Sequence, residues 1–155
     1  MPTTTPKILR VALTAAVATL AGACGDDPVQ VQVIEEVEFA ASLGIDLTMF
    51  TELPSGVYVQ DVVVGTGEEV VEGSVVTLSY TGRLTDGTVF DTGGFTHTVG
   101  SGGLIPGFDQ GLHGMLEGGE RRVIIPPEQG YGSAPNGSIP GGSILIFDIT
   151  ADAVS

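Results

Sequence analysis

Few side chains in this sequence could carry out covalent or metal chemistry. There is one cysteine, Cys24, and the two histidines, His97 and His113, lie far apart in the chain. No cysteine or acidic cluster accompanies either histidine, so the pattern predicts no metal site and no cofactor. The Gly65-Thr66-Gly67 run has neither the lysine nor the helix of a phosphate-binding loop, and it indicates a turn.

Aromatic and hydrogen-bonding groups are better placed for chemistry. Alternation over residues 74–84 puts Tyr80 on the face of a strand that should point inward, and Phe147 shares its parity with apolar neighbours on a later strand. Ile105 precedes Pro106, a residue favoured in the first helical turn, so its N–H lies near the unpaired donors of a helix start. Tyr131, between two glycines, can donate from a loop. Together these groups favour an apolar pocket with a few polar anchors.

The elements that must position these groups are short strands and one helix. The pattern predicts strands at 57–64, 74–84, 89–91, 95–99, 120–125 and 144–150, with a hairpin turn at 85–88 that contains Asp86-Gly87. A helix is predicted from Pro106 to about Leu116, with His113 inside it in a structural role. One short helix against several antiparallel strands is an α+β fold.

The region before the strands divides into two parts. Lys7 and Arg10 precede an apolar run over residues 11–23, which has the length of a signal-peptide core rather than of a membrane-spanning helix. Residues 35–50 show weak helical spacing, and 51–56 contains turn residues. We therefore expect a signal peptide at 1–23, an acidic tether and pre-domain segment at 24–51, and the folded domain at 52–155.

The small residues before Cys24 resemble a bacterial lipobox. In such a signal the cysteine is diacylated and becomes the first residue of the mature chain, which would explain a lone thiol there. An ordinary signal peptidase would cut the same bond, so plain secretion is the alternative. We predict lipidation at Cys24, attachment to a membrane through that lipid, and a location in the cell envelope.

The charge balance argues against nucleic-acid binding. The chain has 5 Lys and Arg against 19 Asp and Glu, and after Cys24 the only basic residues are Arg83, Arg121 and Arg122. Such a body repels phosphate backbones. The acidity is sufficiently explained by solubility, since the domain is rich in glycine and mildly hydrophobic.

An ordered set of motifs from Gly56 to Thr150 resembles the FKBP family of prolyl isomerases. The motifs are Val63-Val64-Gly65-Thr66-Gly67, Ser79-Tyr80-Thr81-Gly82, Asp86-Gly87-Thr88-Val89-Phe90-Asp91, Leu104-Ile105-Pro106-Gly107-Phe108, Gly111-Leu112, Met115, Ile125-Pro126-Pro127, Gly130-Tyr131-Gly132, Ile139-Pro140 and Leu145-Ile146-Phe147-Asp148. The stretch Ala41-Ser42-Leu43-Gly44-Ile45-Asp46-Leu47 is also similar to a segment of bacterial lipoprotein members.

The resemblance implies a curved antiparallel sheet wrapped around one short helix, with an apolar pocket between them. It implies peptidyl-prolyl cis-trans isomerase activity on proline-containing polypeptides, macrolide inhibitors as further ligands, and a monomer. The residues it assigns to catalysis are Tyr80, Asp91, Ile105 and Tyr131, and those it assigns to substrate binding are Phe90, Phe95, Leu104, Phe108, Ile139 and Phe147. Phe108 would form the floor, where Trp is common in eukaryotic members.

The segment that follows Asp91 departs from the family pattern in two ways. The segment Asp91–Phe95 is shorter than in many members and lacks their Arg, so Asp91 should lack its usual ion-pair partner. This difference bears on macrolide affinity more than on isomerase activity. A binding module, either a peptide-holding chaperone or a scaffold with little turnover, is the alternative function, and a surface adhesin on an inherited fold is a third.

Overall fold

The computed structural model describes residues 31–155, so the predicted signal peptide and Cys24 lie outside the described residues. The strands are β1 (Thr51–Glu52), β2 (Tyr58–Val63), β3 (Val75–Arg83), β4 (Val89–Thr98), β5 (Glu120–Ile125) and β6 (Leu145–Val154). One α-helix, α1, spans Pro106–Leu112, and short 3-10 turns lie at Ala41–Leu43, Leu47–Met49 and Pro127–Gln129. In this part of the chain no helix has the length and apolar character needed to cross a bilayer.

The six strands form one antiparallel sheet in the order β1-β2-β5-β6-β3-β4. The predicted α+β class, with a curved antiparallel sheet around one short helix, is confirmed. The alternation predicted for β3 is also confirmed, because Val76 and Leu78 are buried while Val75 and Thr77 are exposed. β6 lies between β5 and β3, and its apolar sequence reflects burial on both faces.

Helix α1 packs on the inner face of the sheet because two of its positions are glycines. A Cβ at Gly107 would lie 2.4 Å from the Cγ2 of Ile125, and one at Gly111 would lie 2.8 Å from the Cγ1 of Val123. The helix therefore approaches β5 more closely than side chains would allow. Its apolar residue Phe108 is buried in the main core as a result.

The helix ends at Leu112, four residues before the predicted end near Leu116. His113 has ψ 133°, and Gly114 takes a positive φ of 74°, so the backbone leaves the helical path at that point. Arg121 supplies the hydrogen bonds that a further helical turn would have given to the last carbonyl groups. Its Nη1 donates to the carbonyl oxygens of Gly111 at 3.1 Å and His113 at 2.7 Å. His113 thus follows the helix rather than lying within it, and it is exposed.

The two short strands predicted at 89–91 and 95–99 are one strand, β4. Glycines at 93 and 94 suggested a break, but both pair with β3, opposite Tyr80 and Ser79. A register shift near the turn leaves Phe90 as an extra residue between the pairs Gly82–Asp91 and Arg83–Val89. This bulge turns Phe90 and Asp91 toward the same side of the molecule.

Residues 31–50 cover the outer face of the sheet. Ile34 and Leu43 are buried there with Ile144 and Ile146, forming a second core. The helical spacing predicted for 35–50 is realised only as two 3-10 turns, because Gly44 adopts a left-handed conformation between them. The boundary at residue 52 stays a prediction, but the preceding segment adds a packed layer to the domain.

We expect this outer layer to unfold together with the sheet. Leu43→Ala should lower the free energy of unfolding by about 2–4 kcal/mol, because the Leu43 side chain is 7% exposed and its truncation leaves a cavity. The matched control is Met49→Ala in the same segment, where the side chain is 64% exposed and the change should stay within about 0.5 kcal/mol. Urea denaturation measures both. Equal stabilities for the two variants would show that the layer is not part of the cooperative unit.

Candidate functional site

One cavity of about 420 Å³ lies between α1, β3, β4, β6 and the loops at 103–105 and 131. It is lined by every residue predicted for catalysis or substrate binding except Ile139. Gly103 and Pro106 also line it, and the sequence did not indicate them. The full lining is Tyr80, Phe90, Asp91, Phe95, Gly103, Leu104, Ile105, Pro106, Phe108, Tyr131 and Phe147. Gly103 and Pro106 flank predicted lining residues, so continuity along the 103–106 segment would have found them.

Ile139 does not reach this cavity. Its side chain is 7% exposed and belongs to the main core. Its backbone exchanges two hydrogen bonds with Asn136, each 2.9 Å, which closes a small turn in the long glycine-rich loop. The structure therefore gives Ile139 a packing position beneath the loop, and its assignment to substrate binding stays a prediction.

Aromatic rings form the walls and floor of the cavity. Phe108 and Phe147 meet edge to face with ring centroids 5.0 Å apart, and Phe90 meets Phe147 in the same way at 5.5 Å. Tyr80 completes the cluster at 5.8 Å from Phe108. These geometries are the favoured ones for aromatic pairs, so the rings hold one another in place.

Gly82 on β3 makes this ring arrangement possible. A Cβ at this position would lie 2.6 Å from the Cζ of Phe90 and 2.9 Å from the Cε1 of Phe147. No side chain can therefore replace the hydrogen of Gly82 without moving both rings. The glycine of the Ser79-Tyr80-Thr81-Gly82 motif thus has a packing role directly beneath the site.

Tyr80 and Asp91 form the polar contact at the wall of the cavity. The Tyr80 hydroxyl donates to Oδ2 of Asp91 at 2.6 Å, and the backbone N–H of Thr92 donates to Oδ1 at 2.9 Å. The hydrogen bond to Asp91, then burial and the negative charge of Asp91, raise the pKa of Tyr80 to about 12. The hydroxyl is consequently a proton donor across the neutral pH range.

No arginine of the described residues pairs with Asp91. Arg83 forms its ion pair with Asp148 on the other face of the sheet. The Tyr80 hydroxyl, which is not a cation, donates a hydrogen bond to one carboxylate oxygen of Asp91. The turn at Asp86-Gly87 alone would not have revealed this contact, because the register shift at Phe90 is what sets Tyr80 opposite Gly93 and leaves Asp91 as a diagonal neighbour on the same face.

Two further donors line the cavity and have no acceptor within residues 31–155. Ile105 precedes α1 in an extended conformation, and its backbone N–H makes no hydrogen bond to a described residue. The Tyr131 hydroxyl has no protein partner in the same range, and the side chain is 41% exposed. Both are free to donate to the carbonyl groups of a bound chain.

Asp109 on α1 holds the start of the helix in place, next to the part of the cavity wall formed by Leu104 and Ile105. Oδ1 of Asp109 lies 2.7 Å from Nε2 of His97 at the end of β4, and both Asp109 oxygens accept the backbone N–H of Gly100 at 3.1–3.2 Å. The helix start is thereby tied to the strand across the loop. Sequence reasoning gave His97 no role, since the contact joins residues twelve positions apart that share no pattern.

The arrangement suits binding and desolvation of an apolar group. Its surfaces are aromatic or aliphatic, and its polar groups are a few donors and one carboxylate at the rim. Among residues 31–155 no cluster of three or more His, Cys, Asp or Glu is placed to hold a metal ion. The cavity lining within the described residues contains no serine, cysteine, lysine or histidine, and the arrangement suits action by shape, by hydrogen bonds and by exclusion of water.

Comparisons with known proteins find a matching family. A sequence profile for FKBP-type peptidyl-prolyl cis-trans isomerases matches residues 66–151. The FK506-binding protein of Neisseria meningitidis serogroup B is 42% identical over 100 residues, which cover 61% of this chain and 92% of that protein. All the lining residues of the cavity lie within the matched range.

Other relatives are longer or are known from crystal structures. FK506-binding protein 4 of Chaetomium thermophilum is 48% identical over 98 residues, which cover 61% of this chain but only 20% of that protein. The crystal structure of AtFKBP13 superposes with a TM-score of 0.63 at 37% identity and covers 68% of this chain and 98% of that one. The chain spans about a fifth to a quarter of the length of the fungal relatives that it matches.

We expect Tyr80 to lose its proton near pH 12, against 10 for an ordinary tyrosine. The near-ultraviolet phenolate signal of wild type minus that of Tyr80→Phe isolates this group. Asp91→Asn should bring the Tyr80 pKa down toward 10, because the charged acceptor is gone. Asp86→Asn is the matched control, since Asp86 binds Thr88 in the hairpin turn and does not contact Tyr80.

The raised pKa of Tyr80 also makes the stability of the fold depend on pH. The folded-state pKa of Tyr80 lies above the unfolded value, so its contribution is complete below about pH 10 and is lost as the pH rises from there to about 12. Circular dichroism must show that the fold persists over the titration. A Tyr80 pKa that is identical in wild type and Asp91→Asn would contradict the electrostatic role given to Asp91.

Proposed function

This chain belongs to the FKBP-type peptidyl-prolyl cis-trans isomerase family, and from that premise we propose that it accelerates the cis-trans isomerisation of X-Pro bonds in exported polypeptides. The observation that carries the proposal is the aromatic cavity with two hydrogen-bond donors that have no acceptor among residues 31–155. A proline ring fits such a cavity because it is apolar and compact. The flanking carbonyl groups would meet the donors.

The barrier to this reaction comes from amide resonance. Rotation about the peptide C–N bond costs ~18–20 kcal/mol, because the twisted amide loses its partial double bond. The planar ground state is more polar than the twisted state, so water stabilises the ground state more. A cavity that removes water and holds the ring lowers the barrier without any covalent intermediate.

The aromatic cluster supplies the dry surface. Phe108 and Phe147 are each 4% exposed, and both line the cavity. The edge-to-face contacts of these rings keep the cavity open in the absence of a bound chain. The binding site is therefore preorganised for a rigid five-membered ring, and little ordering is needed when the ring enters.

The polar groups orient the chain on either side of the proline. The N–H of Ile105 and the hydroxyl of Tyr131 donate to substrate carbonyl oxygens, which fixes one side of the amide while the other rotates. Asp91, held by Tyr80 and by the Thr92 N–H, places a fixed negative charge beside the rotating bond. No proton transfer is required of it.

Residues 11–24 support the proposed location in the cell envelope and the proposed clients. The apolar run at 11–23 before Cys24 supports export, and the cysteine supports a lipid anchor in the cell envelope. Newly exported chains are unfolded and carry X-Pro bonds in both isomers, so a tethered isomerase would act on them as they fold. We propose a monomer that works at the membrane surface.

Phe147 tests desolvation in the cavity. Phe147→Leu keeps the site apolar and should retain part of the activity, whereas Phe147→Asn brings an amide and water into it. We expect the Asn variant to lose at least ~tenfold more activity than the Leu variant, equivalent to about 1.4 kcal/mol in the barrier. The assay is isomerisation of a short X-Pro peptide by the full-length chain, after circular dichroism shows that both variants fold.

The pH profile of the same assay supplies an independent check. Between pH 6 and 8 the wild-type rate should be flat, because no step transfers a proton and Tyr80 stays protonated far above this range. A steep profile together with equal rates for the two variants would overturn the twisted-amide mechanism. Tight peptide binding without turnover would instead favour a binding module.

Cys24 tests the membrane anchor. Cys24→Ser should move the protein from the membrane fraction to the soluble fraction of the envelope, because serine cannot accept the thioether-linked lipid. Gly25→Ser is the matched control, since it makes a similar change one residue away and keeps the cysteine. Cell fractionation and mass spectrometry of the mature N-terminus measure the outcome. A Cys24→Ser variant that stays with membranes like wild type would contradict lipidation.

A further inference from the structure

The strand β4, which forms one wall of the cavity, is also the last strand of the sheet. β3 pairs with it on one side, and no described strand pairs with it on the other. Phe90, Asp91 and Phe95 on this strand line the cavity. The free edge of the sheet and the binding site are therefore parts of the same ten-residue strand.

The direction of the backbone groups along β4 can be read from both of its ends. Val99 continues the register and donates its N–H to Ser74 next to β3, so odd-numbered residues pair inward. Thr92 donates its N–H away from β3, to the Asp91 carboxylate, which agrees with this parity. The N–H and C=O groups of Gly94 and Thr96 consequently point outward from the sheet.

These outward groups are exposed and have no partner within residues 31–155. Gly94 and Thr96 are both exposed, and no backbone or side-chain hydrogen bond of the described chain involves their outward groups. The two ends of the edge are occupied: Asp91 accepts from the N–H of Thr92, and Ser101 donates to the carbonyl of Thr98 from its N–H and its hydroxyl. The open stretch is a short unit centred on Gly94–Thr96.

The open stretch lacks the usual features that prevent strand addition. Exposed edges are commonly protected by lysine, by proline, by inward-pointing charges or by bulges. Residues 92–98 contain no lysine, no proline and no carboxylate, and their register with β3 is unbroken. The bulge at Phe90 lies beyond the Asp91 end, next to the hairpin turn.

We propose that this edge binds the flank of the client polypeptide as an added β-strand while the proline of the same chain occupies the cavity. The inference rests on the proposed function and extends it to residues beyond the X-Pro bond. The client chain would pair with Gly94 and Thr96, because Asp91 and Phe95 of the same strand already contact its proline site. The ligand is an extended, uncharged or basic segment next to a proline.

Charge favours a client chain over a second copy of this protein on the edge. After residue 24 the chain carries three arginines against 19 acidic residues. All three arginines form ion pairs, to Asp61 or Asp148. Two such bodies repel each other when their edges approach, whereas a neutral or basic flank is not repelled.

Two proline peptides distinguish binding along the edge of β4 from binding in the cavity. The short peptide contains X-Pro with one residue on each side, and the long peptide adds five uncharged residues in extended, Thr- and Val-rich flanks on both sides. A third peptide is the long one with alternate flank amides N-methylated. We expect the long peptide to bind the full-length wild-type chain roughly tenfold more tightly than the short one, the effect of about two net hydrogen bonds. N-methylation should remove that gain.

The variant Thr96→Pro deletes one outward N–H without removing a bond to β3, since proline is tolerated where the N–H faces away from the sheet. Thr96→Val is the matched control. Both variants lose the side-chain contact of Thr96 with Thr77, 2.9 Å between hydroxyl oxygens, but only the proline variant loses the N–H. Thr96→Pro should weaken the long peptide by about three- to tenfold and leave turnover of the short peptide unchanged, while Thr96→Val should change neither.

The outcomes distinguish this inference from the function beneath it. If wild type does not turn over the short peptide, the proposed isomerase activity fails. Normal turnover with equal affinity for long and short peptides overturns the edge assignment alone, as does equal binding of the long peptide by the two Thr96 variants. Hydrogen exchange at Gly94 and Thr96 should slow with the long peptide only. A concentration-dependent dimer that Thr96→Pro abolishes would assign the edge to a second copy and overturn the proposal.

Discussion

The meeting of two aromatic rings above Gly82 is the contact on which the site depends. Phe90 comes from β4 and Phe147 from β6, and they touch only because the residue of β3 between these strands has no side chain. The bulge that turns Phe90 inward and the burial of Phe147 against Phe108 both serve that contact. These two rings are thus carried by strands β4 and β6, which both pair with β3, and no flexible loop is needed to hold them.

The two faces of β6 link the cavity to the outer layer. Phe147 points inward to the rings, and its neighbour Asp148 points outward, where it accepts from Nε of Arg122 at 2.6 Å and pairs with Arg83. Arg122 also donates to the carbonyl of Leu43 at 2.6 Å. The segment before the sheet is therefore attached to the strand that carries a wall of the site.

Sequence periodicity predicted the fold well where burial alternates. The strand at Glu120–Ile125 was predicted with the same bounds, and the inward faces of β3 and β6 follow from the parity of Tyr80 and Phe147. It failed where local signals and long-range pairing disagree. Gly93 and Gly94 look like a break but pair across β3, and the helix end is decided by Arg121 from a later strand. The placement of Ile139 in the core depended on the path of a loop, which no periodic pattern encodes.

The ion pairs of all three arginines have a consequence for resistance to proteases. Beyond residue 30 there is no lysine, and Arg83, Arg121 and Arg122 all lie in paired strands. A protease that cuts after basic residues needs an extended, accessible loop around its target, whereas the three arginines within residues 31–155 all lie in strands. Cleavage must wait for β3 or β5 to open, and both pair with the central strand β6. Within residues 31–155, every position at which a trypsin-like enzyme could cut therefore lies in a strand that these ion pairs fasten.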